Sequence, residues 1–411
     1  MAAGLPEQGR GAVWRTLSRS LRHRDYRLFF TGQLISLVGT WMQQVAQGWL
    51  VYRLTGSSLS LGLVGFAGQF PVFLFSLLGG VAADRFDRRA LLVWTQAASM
   101  VQAGLMAWLA FSGRAEVWQV LCLAFFLGTV NAVDVPTRQS FMVELVGLED
   151  LHNAIALNSS LFNTARIVGP SVAGFLLAAV GEGWCFTLNA LSFLAVIACL
   201  LRMTSRRKPA PEAGGSVWER LREGLAFAWG EARVRLVLCL VTAASVTGVS
   251  YVVLMPVFAR DVLGGGPGNL GLLMASAGAG SLAAALTLAA RGRGRGVGRF
   301  AYFGMTGLGA SLALFANSES FALSAALLVP VGYCTIASMA SCNTILQLLS
   351  PDRLRGRVMA LYSMMFLGMA PFGALLAGSL AQLLGAPAAV TACGLTCLAV
   401  SAVAGRGLLR L

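Results

Sequence analysis

Charge is what this sequence has least of. Only 12% of its 411 residues are charged, where a soluble protein of this size needs roughly a quarter to cover its surface. That shortage, beside a 57% hydrophobic content, excludes a chain of two or three soluble domains. Histidine is almost missing: His23 and His152 stand alone, with no metal-ligand spacing and no nucleophile–base pair. This argues against a membrane-embedded enzyme such as a lipid-modifying transferase. No G-x-x-x-x-G-K-[ST] loop occurs, so the chain holds no ATP-driven pump of that type. Lys208 is the sole lysine among 31 basic residues, which reads as codon bias. The arginine-rich stretch 1–27 lacks a cleavable apolar region, so the first apolar span is expected to be retained. Eight cysteines all fall in apolar spans; Cys393 and Cys397 share a helix face without further ligands, so reduced, buried thiols and no metal are expected.

What is present is apolar length. About 234 hydrophobic residues, at ~20 per bilayer crossing, make room for about twelve membrane helices. The spans are placed at 28–52, 61–83, 90–112, 116–134, 153–180, 183–201, 234–259, 270–290, 300–316, 321–343, 358–384 and 386–404. The 48 glycines suit helices that pack closely in lipid. The net charge of +14 would fit nucleic-acid binding, but the arginines sit in short clusters between spans without interleaved aromatics, so no nucleic-acid partner is expected. Twelve spans put both termini on one face, here side A. Side A carries 27 of the basic residues and side B only Arg53, Arg114 and Arg260. By the positive-inside rule, side A is expected to be cytoplasmic.

Hydrophobicity collapses at 202–215. Beyond it, Ser216 and Glu219 form a capping-box pattern, and Val217, Trp218, Leu221, Leu225, Ala228 and Trp229 recur at helical spacing. An interfacial amphipathic helix is expected there. It divides the chain into a basic arm (1–27), a six-helix bundle (28–201), a linker (202–233), a second six-helix bundle (234–404) and a tail (405–411). An offset of 204 positions pairs nine identical residues within 156–181, including Gly169/Gly373 and Gly174/Gly378. One offset linking the fifth and eleventh spans is what a parallel repeat of two halves produces.

The loop after the second span, Gly80-Val-Ala-Ala-Asp84-Arg85-Phe-Asp87-Arg88-Arg89, resembles the G-x-x-x-D-R-x-G-R-R loop of the major facilitator superfamily, with Asp87 in place of Gly. Further stretches resemble its enterobactin-exporter-like and macrolide-efflux-like bacterial branch: Gly32-Gln33, Trp49-Leu-Val-Tyr52, Asp134-Val-Pro-Thr-Arg138, Asn158…Arg166…Gly169-Pro170, and Pro351-Asp352…Arg355-Gly-Arg357. Gly169-Pro170-x-x-Ala173-Gly174 is similar to the G-P-x-x-G-G signature of proton-driven exporters. The arginine that many drug antiporters carry in the fourth span is missing, since 119–130 hold no charge. The resemblance implies an all-α integral membrane protein of twelve helices in two six-helix bundles. It also implies a secondary active exporter of a small amphipathic molecule, siderophore or drug-like, by alternating access with proton antiport. No cofactor, a monomer, and a bacterial inner membrane with cytoplasmic termini are expected. The alternatives are a lipid-modifying enzyme and an uptake transporter of the same fold.

Such a fold binds substrate near the bilayer midplane between its halves. Gln33, Ser36, Thr40, Gln44 and Gln47 follow steps of three and four along one face of the first span, as cavity lining or as interhelical hydrogen bonds. Asn158, Asn163 and Arg166 mark the fifth span, and Arg166 is the lone basic residue inside any span away from its ends. It either locks helices, with Asp134 the nearest acid, or meets substrate. Tyr251, Tyr333 and Tyr362 are the candidates of the second half, beside Met359, Met364, Met365 and Met369. No carboxylate falls mid-span there. Gly80, Asp84, Arg85, Arg88, Arg89, Asp134, Arg138, Gly169, Pro170, Asp352 and Arg357 are expected to serve conformational change.

Overall fold

The computed structural model describes residues 19–204, 217–291 and 296–408. Described residues form helices and no strand. In lipid, a helix satisfies its own backbone, and these sequences have no water to fall back on. The first half contains α1 (Arg24–Thr55), α2 (Ser58–Arg85), α3 (Arg88–Ser112), α4 (Val117–Gly147), α5 (Glu149–Ala179) and α6 (Glu182–Leu201). The amphipathic α7 (Val217–Gly230) follows. The second half contains α8 (Ala232–Val262), α9 (Pro267–Arg291), α10 (Val297–Ala316), α11 (Phe321–Leu349), α12 (Asp352–Leu384) and α13 (Ala386–Leu408). Ten of these are long and apolar enough to span a bilayer by themselves. Apart from the short surface helix α7, the two that fall short are α1, with its glutamine stripe, and the glycine-rich α10; each is packed between helices that do qualify.

The expected loop at 138–152 is almost absent. α4 continues to Gly147 and α5 begins at Glu149, the break being Gly147 at φ 70°, ψ 178°, a region open essentially to glycine alone. The extension is helical because its polar side chains have partners. Arg138 bonds Asp134 and Gln33, and Glu144 meets Arg88 at 3.5 Å. Beside it, Tyr26, Phe29, Leu92, Phe141 and Leu200 form a separate apolar cluster at the side-A end of the first half.

α8 and α12 are interrupted in mid-membrane. α8 passes from α-helix into a π-turn at Ala244–Gly248, a 3-10 turn at Ser250–Leu254 and a second π-turn at Phe258–Val262. Pro256 supplies no N–H and crowds the preceding turn. Side chains add bonds to backbone carbonyls along this stretch: Thr247 donates to Ala243 O at 2.7 Å and Ser250 to Val246 O at 2.8 Å. α12 breaks at Gly368–Met369, just before Pro371. The two breaks touch, since Ser245 Oγ donates to Phe366 O at 2.6 Å.

The halves meet through α2 against α12 and α5 against α9. Gly62 faces Gly378 and Gly174 faces Gly271 so closely that a Cβ on Gly174 would lie 2.9 Å from the Gly271 Cα. All four glycines lie near the side-B ends of their helices. Hydrogen bonds between described residues of the two halves lie there too: Tyr52 donates to Asp261, and Ser57 Oγ to Gln382 Oε1 at 3.0 Å. These contacts close side B.

The capping pattern of Ser216 and Glu219 and the arginines at 10, 15, 293 and 295 lie outside the described residues or side chains. α7 turns part of its polar face inward: Glu223 pairs with Arg357 and approaches Arg353 at 3.9 Å, at the start of α12. Trp229 stays 73% exposed, as a membrane-surface helix requires.

Candidate functional site

A cavity of about 190 Å³ lies midway across the membrane and is lined from both halves. Its floor on the first-half side is Trp41 and Gln44 of α1, Gln69 of α2, and Arg166 and Pro170 of α5. The second half contributes Ser245, Ser250, Tyr251 and Met255 from the broken α8, Met274 from α9, and Ala370 from the break in α12. Interrupted helices are suited to this place, because unwound backbone in lipid is tolerated where it faces a cavity.

Arg166 is half-buried, with its guanidinium 5.8 Å from the centre of the Trp41 ring, a cation–π distance. Gly169 sets that geometry. A Cβ there would lie 2.5 Å from the Trp41 Cβ, so the glycine one turn beyond Arg166 lets α1 bring its tryptophan under the charge. Among the described residues no carboxylate pairs with Arg166. The acid expected nearest to it, Asp134, is engaged elsewhere: it accepts from Thr95 Oγ1 at 2.7 Å and Gln96 Nε2 at 2.9 Å and pairs with Arg138. Asp134 is 2% exposed. The cluster joins α1, α3 and α4 through Gln33, which accepts from Arg138. A second buried relay runs from Asn189 to Gln43 at 2.7 Å and from Gln43 to Gln102 at 2.8 Å.

The polar stripe of α1 therefore divides. Gln33 and Ser36 are buried inside the first half. Thr40 donates to Ser36 O at 2.9 Å, Gln44 reaches the cavity, and Gln47 is half-buried farther along. On α5, Asn163 bonds its own helix at Ser159 O, 2.8 Å away, and Asn158 is half-buried. Tyr251 lines the cavity. Tyr362 does not: it donates to Met339 O at 3.2 Å, within the second half. Tyr333 lines a separate crevice of about 650 Å³ with Arg299, Phe300 and Phe303, between α10 and α11. The methionines that reach the cavity are Met255 and Met274, not the group at 359–369. Trp41, Gln69, Ser245 and Ser250 were not singled out from sequence; the serines and Tyr251 sit beside Pro256, the signal that could have found them.

The loop between α2 and α3 is a tight turn. Arg88 pairs with Asp84 at 3.6 Å and donates to Ala83 O at 3.1 Å, and Arg89 donates to Leu201 O at 2.6 Å. Arg85 precedes Phe86, where α2 ends. Gly80 has open space around it; its neighbour Gly79 is the close contact, with a Cβ position 2.0 Å from Ala132 O. Asp352 pairs with Arg355 at 2.6 Å on the surface.

The chain matches the model of the family described as transmembrane secretion effector over residues 16–410. It is 27% identical over 250 residues to the staphyloferrin A transporter of Staphylococcus aureus, covering 60% of this chain and 62% of that one, under two thirds of that relative's length. It is 26% identical to the multidrug efflux pump Tap of Mycolicibacterium fortuitum, covering 92% and 94%, and 23% identical to the enterobactin exporter EntS of Escherichia coli, covering 92% and 90%. In fold it is similar to a bacterial homologue of the human lysosomal transporter Spinster, with TM-score 0.72, 12% identity, and coverage of 95% and 98%.

Proposed function

Since the chain belongs to the transmembrane secretion effector family of the major facilitator superfamily, and is therefore a multi-pass membrane transporter and not an enzyme, we propose that it exports a small amphipathic molecule by alternating access, driven by proton antiport. The observation that carries this reading is the mid-membrane cavity, lined from both halves and shut on side B by the glycine crossings and the Tyr52–Asp261 bond. A site of that kind serves transport when the halves rock about it. The relatives named as an efflux pump and an exporter favour the outward direction, as does the Gly169-Pro170 signature. The basic excess of side A makes that face cytoplasmic, so the conformation is one whose site is closed to the outside. With bacterial relatives, the inner membrane of a bacterium is its place, and the twelve helices suffice as a monomer.

The test is efflux from proteoliposomes with an imposed pH gradient. Transport that follows the gradient, without ATP, is expected. Unchanged flux after collapse of both proton and sodium gradients would end this reading.

A further inference from the structure

We propose that the central cavity selects organic anions, with Arg166 receiving the substrate's anionic oxygen and the Trp41, Met255 and Met274 surfaces receiving its apolar body. This rests on the transport reading of the cavity and names the substrate class that reading leaves open.

Arg166 stands apart from other partly buried arginines of the bundle. Arg138 has Asp134, Arg88 has Glu144, and Arg357 has Glu223. Arg166 alone of these is placed in the middle of the membrane, and it is the one without a carboxylate among the described residues. Its neighbour is a tryptophan ring, which screens one face of the guanidinium and accepts none of its in-plane N–H bonds. The planar fork is thus left to address the cavity, in a geometry that matches a carboxylate, sulfonate or phosphate oxygen pair.

The remaining lining fits the same occupant. It contains no aspartate or glutamate, so nothing there would offset a cationic guest, which would meet Arg166 in a low dielectric. The amides of Gln44 and Gln69 and the hydroxyl of Tyr251 are able to donate, while the Ser245 and Ser250 hydroxyls already donate to Phe366 O and Val246 O and offer acceptor oxygens only. The rest is apolar or aromatic. A cavity with one unpaired cation, several donors and a soft apolar wall recognises an amphipathic anion and rejects an amphipathic cation.

The test uses three probes of one shape: 2-naphthoate, its neutral carboxamide and 2-naphthylmethylammonium. Their binding to the purified full-length protein in lipid nanodiscs is measured by equilibrium dialysis. Saturable binding of naphthoate at least tenfold tighter than of the carboxamide, with no saturable binding of the ammonium, is expected. Arg166→Gln should erase the tenfold preference and Arg166→Lys should keep part of it, both variants being checked for folding by gel filtration and melting. Should Arg166→Gln fail to fold, the ranking of the three probes on the native protein still decides. Ammonium binding equal to or tighter than naphthoate, absence of saturable naphthoate binding, or an unchanged preference in folded Arg166→Gln would each overturn the proposal. Gradient-driven export of cations alone would overturn it while leaving the export reading intact. Selective anion binding without gradient-driven flux would do the reverse.

Discussion

Two aspartates three residues apart, one in the last turn of α2 and one just before α3, do different work. Asp87 is the N-cap of α3: its Oδ1 accepts from the Ala90 N–H at 2.7 Å, at a φ of −64° that any residue adopts. Where the superfamily pattern has glycine, this chain therefore has a cap, and Asp87→Ala should cost about 0.5–2 kcal/mol. Asp84 is 64% exposed and holds only the rim of Arg88, whose other partners are Glu144 and Ala83 O. Asp84→Asn should leave melting unchanged and still lower turnover, because an exposed acid at a moving interface acts in the state where side A closes. Wild-type flux in that variant would show the acid to be dispensable. The opposite pattern belongs to Asp134. It is buried with three partners, and removing one member of a buried charged pair costs about 3–5 kcal/mol. Asp134→Ala should sharply lower the melting temperature in detergent, whereas Asp352→Ala, at the exposed Arg355 pair, should change stability by no more than about 1 kcal/mol. Similar melting losses for both would mean that the buried cluster is not holding α1, α3 and α4 together.

At the scale of elements, hydropathy made the crossings legible because lipid enforces them: a long apolar run has no other stable conformation there. Their ends were less legible where polar residues find buried partners. α4 runs on through Arg138 and Glu144 because Gln33 and Arg88 wait for them on other helices, and nothing in the local pattern shows those partners. Periodicity placed Gln33 and Gln44 on one face of α1 but could not say that α3 and α4 oppose one end and the cavity the other. Pro256 and Pro371 lie at the interruptions of α8 and α12, but the local pattern does not show that Ser245 of one break bonds Phe366 O of the other. A loop motif likewise drew attention to Gly80, while the α2–α4 crossing needs Gly79. Gly79→Ala should force those helices apart at a cost of about 1–3 kcal/mol, and Gly80→Ala should lie within about ±0.5 kcal/mol. Melting of the two variants separates the packing glycine from the tolerated one; equal melting would contradict the tight crossing.

For the whole molecule, alternating access requires that the side-B closure be strong enough to form and weak enough to open. The glycine crossings supply contact without a polar anchor, and dispersion contacts of this kind come apart as the halves rock. The polar bonds are few: Tyr52 to Asp261, with Arg260 over the Tyr52 ring at 5.8 Å, and Gln382, which accepts from Ser57 Oγ and from the Leu59 N–H at 3.4 Å. A hydrogen bond to a charged group contributes about 1.5–3 kcal/mol, and every 1.4 kcal/mol is tenfold in an equilibrium. Tyr52→Phe keeps the ring and removes the hydroxyl, so it should raise the ratio of side-B-open to side-B-closed protein by about tenfold or more without affecting assembly of either half. The sign is fixed, since the lost bond exists only between the halves. Cross-linking by a short bifunctional maleimide between cysteines introduced at Ser57 and Gln382, whose side chains touch when side B is closed, reads that ratio. Cross-linking should slow in Tyr52→Phe and in Asp261→Asn, and the two changes combined should slow it no further than either alone, because both delete the same bond. Equal cross-linking rates with and without Tyr52→Phe would assign the closure to the glycine crossings alone.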